Sequence, residues 1–177
     1  LSLIAGENYK KRKVKKMSTQ KKQKGFSLIE MMIVVVLVGV MATLAVGQFD
    51  RFFRQQRLKA AGKDLLSDLR LARSYAISRR AQYGIYFDQN ARQYVLFKDV
   101  VNPSNYTYDV GDSVVKTVSL TSIFALNNCT FPNTAVVYLS AGSASSSGTV
   151  DIYNSELAKY VRADVLASTG RVRLTQS

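Results

Sequence analysis

Apolar positions along this chain follow three successive rhythms. From Met31 to Gly47 no residue is charged and only Thr43 is polar, a run of 17 residues that Phe26, Leu28 and Ile29 extend toward the N-terminus. A segment of that length and character approaches the ~20 apolar residues needed to span a bilayer as a helix. Beyond Phe49 the apolar residues thin to a stripe: Phe49, Phe52, Phe53, Leu58, Ala61, Leu65, Leu69, Ala72 and Ala76 recur at helical spacing. This pattern predicts an amphipathic helix continuing to about Arg80, interrupted only by Gly62 and containing no proline.

After Ala81 the period shortens. "QYGIYF" and "QYVLF" flank the turn "DQNAR" and predict a hairpin. "SVVKTVSL", "TAVVYL", "TVDIY", "KYVRADVL" and "RVRL" read as further strands. Turn-rich stretches, "NPSNYTYDVGD" and "SAGSASSSG", separate them, and the tract from Ser140 to Gly148 is expected to be a mobile surface loop. The fold class is therefore α+β, a long N-terminal transmembrane and stalk helix packed on an antiparallel β-sheet head. Four segments follow: residues 1–25, a basic leader; 26–48, a membrane helix; 49–80, a stalk helix; and 81–177, a β-rich head.

Charge sharpens this division. The net charge is +13, yet residues 1–25 alone hold nine Lys/Arg against the single Glu7. All nine precede the apolar run, which by the positive-inside rule places the N-terminus in the cytoplasm and the head on the other side of the membrane. Arg51, Arg54, Arg57, Lys59 and Lys63 form a second basic segment past the apolar run, expected as a solvated face or a contact with lipid headgroups. The only cysteine, Cys129, cannot close an intrachain disulfide, has no neighbours at metal-ligand spacing, and is expected to be a buried small residue. With no histidine anywhere, Ser-His-Asp and Cys-His catalysis and His-based metal sites are excluded. Asp64 and Asp68 are four apart on the stalk, which reads more simply as a solvated face balanced by Arg70 and Arg73 than as a catalytic pair. The chain is thus expected to be no enzyme and to need no cofactor or metal.

Two processing schemes fit the N-terminal third. One is an ordinary secretory signal ending at Ala45-Val46-Gly47. Against it, the apolar stretch exceeds the ~7–15 residues of a signal core and begins with a carboxylate, Glu30. The other is a cut on the cytoplasmic side, before the apolar run. Lys24-Gly25-Phe26-Ser27-Leu28-Ile29-Glu30 resembles the type III signal of type IV pilins and pseudopilins. That resemblance implies cleavage between Gly25 and Phe26 by a membrane-embedded prepilin peptidase, then N-methylation of Phe26. A leader of residues 17–25 has a size common in that family, so Met17 is the expected start and residues 1–16 an upstream extension of the reading frame. Gly47 stands where many pilins carry proline, so no proline-type kink is expected there.

Glu30 has two competing roles. Ser27-x-x-Glu30 spells a capping box whose carboxylate also complements the helix dipole. Capping leaves unexplained a charge near lipid, which costs about 2.5–3.5 kcal/mol or more at the bilayer centre unless partnered. The resemblance supplies a partner, the new amine of Phe26, in the same chain or in the next subunit, where the pair would set axial register during assembly.

A narrower resemblance covers the stalk and the C-terminus. "DLLSDLRLARSYAISRRAQYGIYFD" and the closing "STGRVRL" are similar to the GspH/FimT branch of minor pilins and pseudopilins, although Tyr75 stands where that branch often has an acidic residue. It implies a non-catalytic subunit near the tip of a type II secretion pseudopilus or type IV pilus, held in the bacterial inner membrane. Its partners would be the prepilin peptidase, other pilin-like subunits, the inner-membrane assembly platform and membrane lipid. The alternative is DNA contact: Arg171 and Arg173 lie two apart on one strand face after Ser168-Thr169-Gly170, with Lys159 and Arg162 extending a basic strip. A Gly-Arg-x-Arg end resembles that of FimT-like pilins linked to DNA uptake, while the plainer reading is an edge strand guarded by charge.

Overall fold

The computed structural model describes residues 25–176, apart from the side chains of 44–48; the leader up to Lys24 and Met17 lie outside the described residues. Helix α1 runs from Leu28 to Arg79, and eight strands follow. The chain divides into two compact units, the first ending at Thr43 and the second covering Leu44–Ser177. In the first unit every side chain from Gly25 to Thr43 is exposed, including Leu28, Val35 and Met41, each at least 70% exposed. Thr43, the polar exception, donates its hydroxyl to the Val40 carbonyl at 2.7 Å and so satisfies itself within the helix. Among the described residues no helix is long and apolar enough to cross a membrane. The described side chains of this run stop at Thr43, while the sequence stays apolar to Gly47.

The second unit holds a main core and a smaller cluster of Val95, Phe97 and Val137, with Tyr86 and Tyr108 packed against it. Strands β1 (Tyr83–Asp88), β2 (Gln93–Lys98), β3 (Ser113–Ser119) and β5 (Ala135–Tyr138) form an antiparallel sheet in the order β3-β2-β1-β5. Strands β4 (Phe124–Asn127), β6 (Gly148–Asn154), β7 (Lys159–Leu166) and β8 (Arg171–Gln176) form a second, in the order β4-β6-β7-β8. The predicted hairpin is β1–β2, with Asp88 paired to Gln93 and the Asp88 carboxylate accepting the Ala91 N–H at 2.9 Å inside the turn. Leu58, Leu65, Leu69, Ala72 and Ala76 of α1 are all buried in a single cluster with residues of both sheets, among them Ile85, Leu96, Val136, Ile152, Val161 and Val172. Fully burying each of the larger side chains contributes on the order of 1.5–3 kcal/mol. Phe49, Phe52 and Phe53, which share the same helical rhythm, stay more than half exposed and take no part in this core.

Gly62, an interruption in the sequence pattern, is the point of closest approach. A Cβ placed there would meet the Val161 side chain of β7 at 2.5 Å, so glycine lets the helix backbone lie directly on the sheet. Helix α1 ends where Arg80 takes the left-handed conformation (φ 48°). Tyr75 packs on Tyr83 with ring centroids 5.5 Å apart, and the Arg79 guanidinium stands 4.3 Å over the Tyr75 ring. An aromatic and cation–π contact thus occupies the place of any carboxylate pair at this position.

Three expectations change. Asp68 is not on a solvated face: it is buried, and its carboxylate accepts the Tyr94 hydroxyl and the Lys116 ammonium, each at 2.8 Å. Burial, reinforced by that hydrogen bond, pushes the Tyr94 phenol well above its ordinary range. Cys129 is half-buried rather than fully buried, and desolvation raises its thiol pKa. The serine-rich tract is built into the fold rather than lying over it. Ala144 is buried and bridges Tyr138, and Ser145 exchanges hydrogen bonds with the Val137 backbone. The Gly142 carbonyl accepts the Arg73 Nε–H at 2.8 Å. Small residues are used here because Gly170 (φ +60°) has its backbone against Gly142, leaving no room for a Cβ.

The loop between β2 and β3 is organised by carboxylates. Asp112 accepts the Val100, Val101 and Asp109 N–H groups, each at 2.9 Å. Burial pushes its pKa up, but those three donors outweigh burial and hold it below the ordinary carboxylate range. Asp99 is buried beside it with one oxygen lacking a partner among the described residues. Burial first, and then the charges of Asp112 and Asp109, push Asp99 up to about 6.

Two outcomes follow. The folded state holds the Asp99 proton more tightly than the unfolded chain does, so this group's contribution to stability is present at acid pH and is lost as pH rises from about 4 to about 6. Asp99→Asn should therefore raise the melting temperature at pH 7 and change it little near pH 4; an unchanged or lower value at pH 7 would contradict the assignment. Gly170→Ala combines a left-handed alanine with an overpacked contact and should cost about 2–4 kcal/mol, read as a lower denaturation midpoint.

Candidate functional site

Two regions carry the residues singled out by the sequence, and they are built differently. At the head of α1, Gly25, Phe26 and Ser27 precede the first helical residue and have no regular secondary structure. Phe26 is 74% exposed, and among the described residues, its chain neighbours aside, no atom lies within 4 Å of where a Cβ on Gly25 would stand. Within the described residues the Gly25–Phe26 bond is thus exposed and outside the helix. The Met31 N–H donates to the Ser27 carbonyl at 3.2 Å, opening the helix. Glu30 is the acidic residue of the first turn, where its charge complements the free N–H groups. Among the described residues no side-chain hydrogen bond joins Ser27 to Glu30 and no cation pairs with Glu30, so the reciprocal capping box is not formed. Phe26 lies four residues before Glu30 but outside the helix, so no common helix face relates the two in this structure.

The C-terminal candidates lie on β8, the edge strand of the second sheet. Arg171 and Arg173 are exposed and flank the buried Val172, so both point to the face away from the core. The basic strip expected to continue through Arg162 does not do so. Arg162 donates from Nε and Nη2 to the Asp151 carboxylate at 2.7 and 2.8 Å, and Asp151 also takes the Asn128 amide at 2.9 Å. That hydrogen bond and the carboxylate's charge raise the Arg162 pKa further. In addition, Asp164 sits opposite Arg173 in the β7–β8 register. Among the described residues Arg171 and Arg173 make no salt bridge on that face, although Asp164 lies across from Arg173, and Lys159 is exposed at the far end of β7.

What the sequence did not indicate is that β8 faces α1 across a groove of about 940 Å³, to which Arg70 and Arg73 of the helix contribute alongside Arg171 and Arg173. Helical arginines and strand arginines are a hundred residues apart, and no local pattern relates them. A second, smaller hollow of about 560 Å³ lies between the start of the stalk and the β6–β7 turn, where Arg54 pairs with Glu156. The second basic segment is thus partly neutralised rather than wholly solvated. Among the described residues no group of His, Cys, Asp or Glu is arranged to hold a metal ion.

Comparison with known proteins agrees with this architecture. The profile of the prokaryotic N-terminal methylation motif matches residues 20–46, and that of the type II transport protein GspH matches residues 61–171. No curated protein matches the sequence significantly. Among solved structures, the minor pseudopilin EpsH from the type 2 secretion system of Vibrio cholerae is similar at a TM-score of 0.53 and 17% identity, over 67% of this chain and 96% of that one. The type IV minor pilin FimU of Pseudomonas aeruginosa is similar at a TM-score of 0.52 and 13% identity, over 70% of this chain and 92% of that one. At these identities the structural likeness speaks to fold, a helix packed on antiparallel sheets as in pilins and pseudopilins. The family profile covers more than half of the residues, and the chain therefore belongs to the type II transport protein GspH family.

Proposed function

We propose that this chain is a minor pilin-like subunit that enters a type II secretion pseudopilus or type IV pilus close to its tip. The observation that carries this reading is the helix head: sixteen residues, Leu28 to Thr43, exposed on every side, apolar but for Glu30 and Thr43, and overlapping the matched methylation motif. A helix apolar all round is stable only when lipid or other helices cover it. In the membrane, lipid covers it; in a filament, the helices of neighbouring subunits do, gaining packing once they leave lipid. Proteins of this family are structural, non-catalytic subunits.

In the proposed sequence of events, the leader stays in the cytoplasm, the apolar run spans the inner membrane, and the head folds on the far side. The prepilin peptidase hydrolyses the Gly25–Phe26 bond, and the freed Phe26 amine is methylated, which keeps its positive charge. That cation then partners Glu30, most usefully Glu30 of the adjacent subunit, because a charge pair in an apolar surround tolerates only one axial register. The assembly platform and the neighbouring subunits would act on this same segment. DNA contact through Arg171 and Arg173 has less support: with Arg162 bound to Asp151, two phosphate contacts remain on that face, and each phosphate neutralised adds only one unit to the salt dependence of binding.

Mass spectrometry of the protein recovered from membranes should find a chain beginning at Phe26 with one added methyl group. A start after Gly47 would identify a secreted protein instead, and retention of the leader a simple anchor. Glu30→Ala should leave membrane insertion unchanged while reducing incorporation into filaments by tenfold or more, scored by shearing and immunoblot. Normal incorporation would remove the register role.

A further inference from the structure

The groove between α1 and β8 combines three properties that no part of the assembly scheme uses. It is basic: Arg70 and Arg73 stand on its helical wall, and Arg171 and Arg173 on its strand wall. Among the described residues no carboxylate pairs with any of the four, although Asp68, Asp151 and Glu156 are all engaged by other cations. Its base is apolar, with Ile77 47% exposed beside the nearly buried Val172. Finally, one wall is an open strand edge. Among the described residues β8 pairs only with β7, so its outer row of N–H and C=O groups has no strand partner. Natural edge strands are blunted by charge, proline, a bulge or a cover. Here the guard is positive charge, which repels a like edge but admits a strand of opposite charge.

We infer that this groove receives an extended acidic segment of a partner protein, added to the second sheet as a fifth strand alongside β8. The geometry specifies the segment. Alternate residues of a strand point to opposite faces and repeat every ~6.8 Å, the spacing of Arg171 and Arg173. Carboxylates at alternate positions would therefore meet both arginines on the outer face. The intervening side chains turn inward, over Ile77 and Val172, toward the wall that carries Arg70 and Arg73. Main-chain hydrogen bonds to β8 supply affinity, and the alternation of charge and apolar side chains supplies register, as in strand addition generally. Nucleic acid suits the groove less well. DNA has no use for unpaired strand amides, and a duplex does not match the alternation of charged and apolar positions along the groove. The interlock of Arg73, Gly142 and Gly170 fixes one end of the groove, so the site is rigid before binding. This inference is independent of the helix-head role and does not require filament assembly.

The test uses the full chain in non-ionic detergent micelles and a fluorescein-labelled octapeptide of alternating Glu and Val, read by anisotropy. Three comparison probes accompany it: an isomer with four Glu followed by four Val, and two versions N-methylated on one or the other alternating set of amides. A labelled 20-base-pair duplex is the fourth. Saturable binding of the alternating peptide is expected, weakened at least tenfold by Arg171→Glu combined with Arg173→Glu in a protein of unchanged melting temperature. One N-methylated version should bind like the parent and the other at least tenfold more weakly, since only one set of amides faces β8. Equal binding of the block isomer, or of both N-methylated versions, would reduce the site to charge alone and overturn the inference. So would absence of peptide binding, or duplex binding that the same substitutions abolish and the peptide does not displace.

Discussion

The buried stripe of α1, Leu58, Leu65, Leu69, Ala72 and Ala76, is the contact on which the rest of the second unit depends. Each sheet is four strands wide, and the one cluster that contains residues of both also contains this stripe. Its residues are small where the helix comes closest. Gly62 meets Val161, and the alanines at 72 and 76 allow the Tyr83 and Tyr138 rings into the same cluster. Larger side chains along that line would lift the helix off the sheets and widen the groove beside β8. Dense packing of this kind tolerates little change in volume.

Buried charge reinforces the same frame. Asp68 ties the helix to β2 through Tyr94 and to β3 through Lys116, while Asp151 on β6 binds Arg162 on β7 and Asn128 beyond β4. Such pairs add little net stability over apolar packing, but removing one partner strands the other at a cost of about 3–5 kcal/mol. They therefore work against mispaired strands. They also account for the charge left at the surface: with these carboxylates engaged, none pairs with the arginines of the groove among the described residues.

The first unit follows a different logic. A helix exposed on all sides and apolar on nearly all of them has no folded core of its own to enter. Its stability is a matter of surroundings, lipid or neighbouring helices. The single carboxylate in its first turn is tolerated where free N–H groups partly compensate it. Such a unit is made for association, whereas the head is made to keep its shape.

Local order was legible in the sequence. The helix from Leu28 to Arg79 followed from apolar spacing, and seven of the eight strands from alternation between turn signals. β4 was missed because "FALN" holds no β-branched residue, unlike the equally short β5, "AVVY". The Gly-Phe junction and Glu30 were legible for the same reason: they lie in the matched methylation motif, which is a pattern of linear sequence. Other properties depended on which distant residues meet. Asp68 became a buried anchor because β2 and β3 fold over it, and Arg162 left the basic strip because β6 brings Asp151 beside it. The serine-rich tract became part of the fold because Gly142 fits against Gly170 and Arg73. The sequence by itself thus determined the elements and the signal, since both depend on neighbours along the chain. Only the tertiary structure decided which charges are spent and which line a groove, because a charge's partner is set by proximity in space.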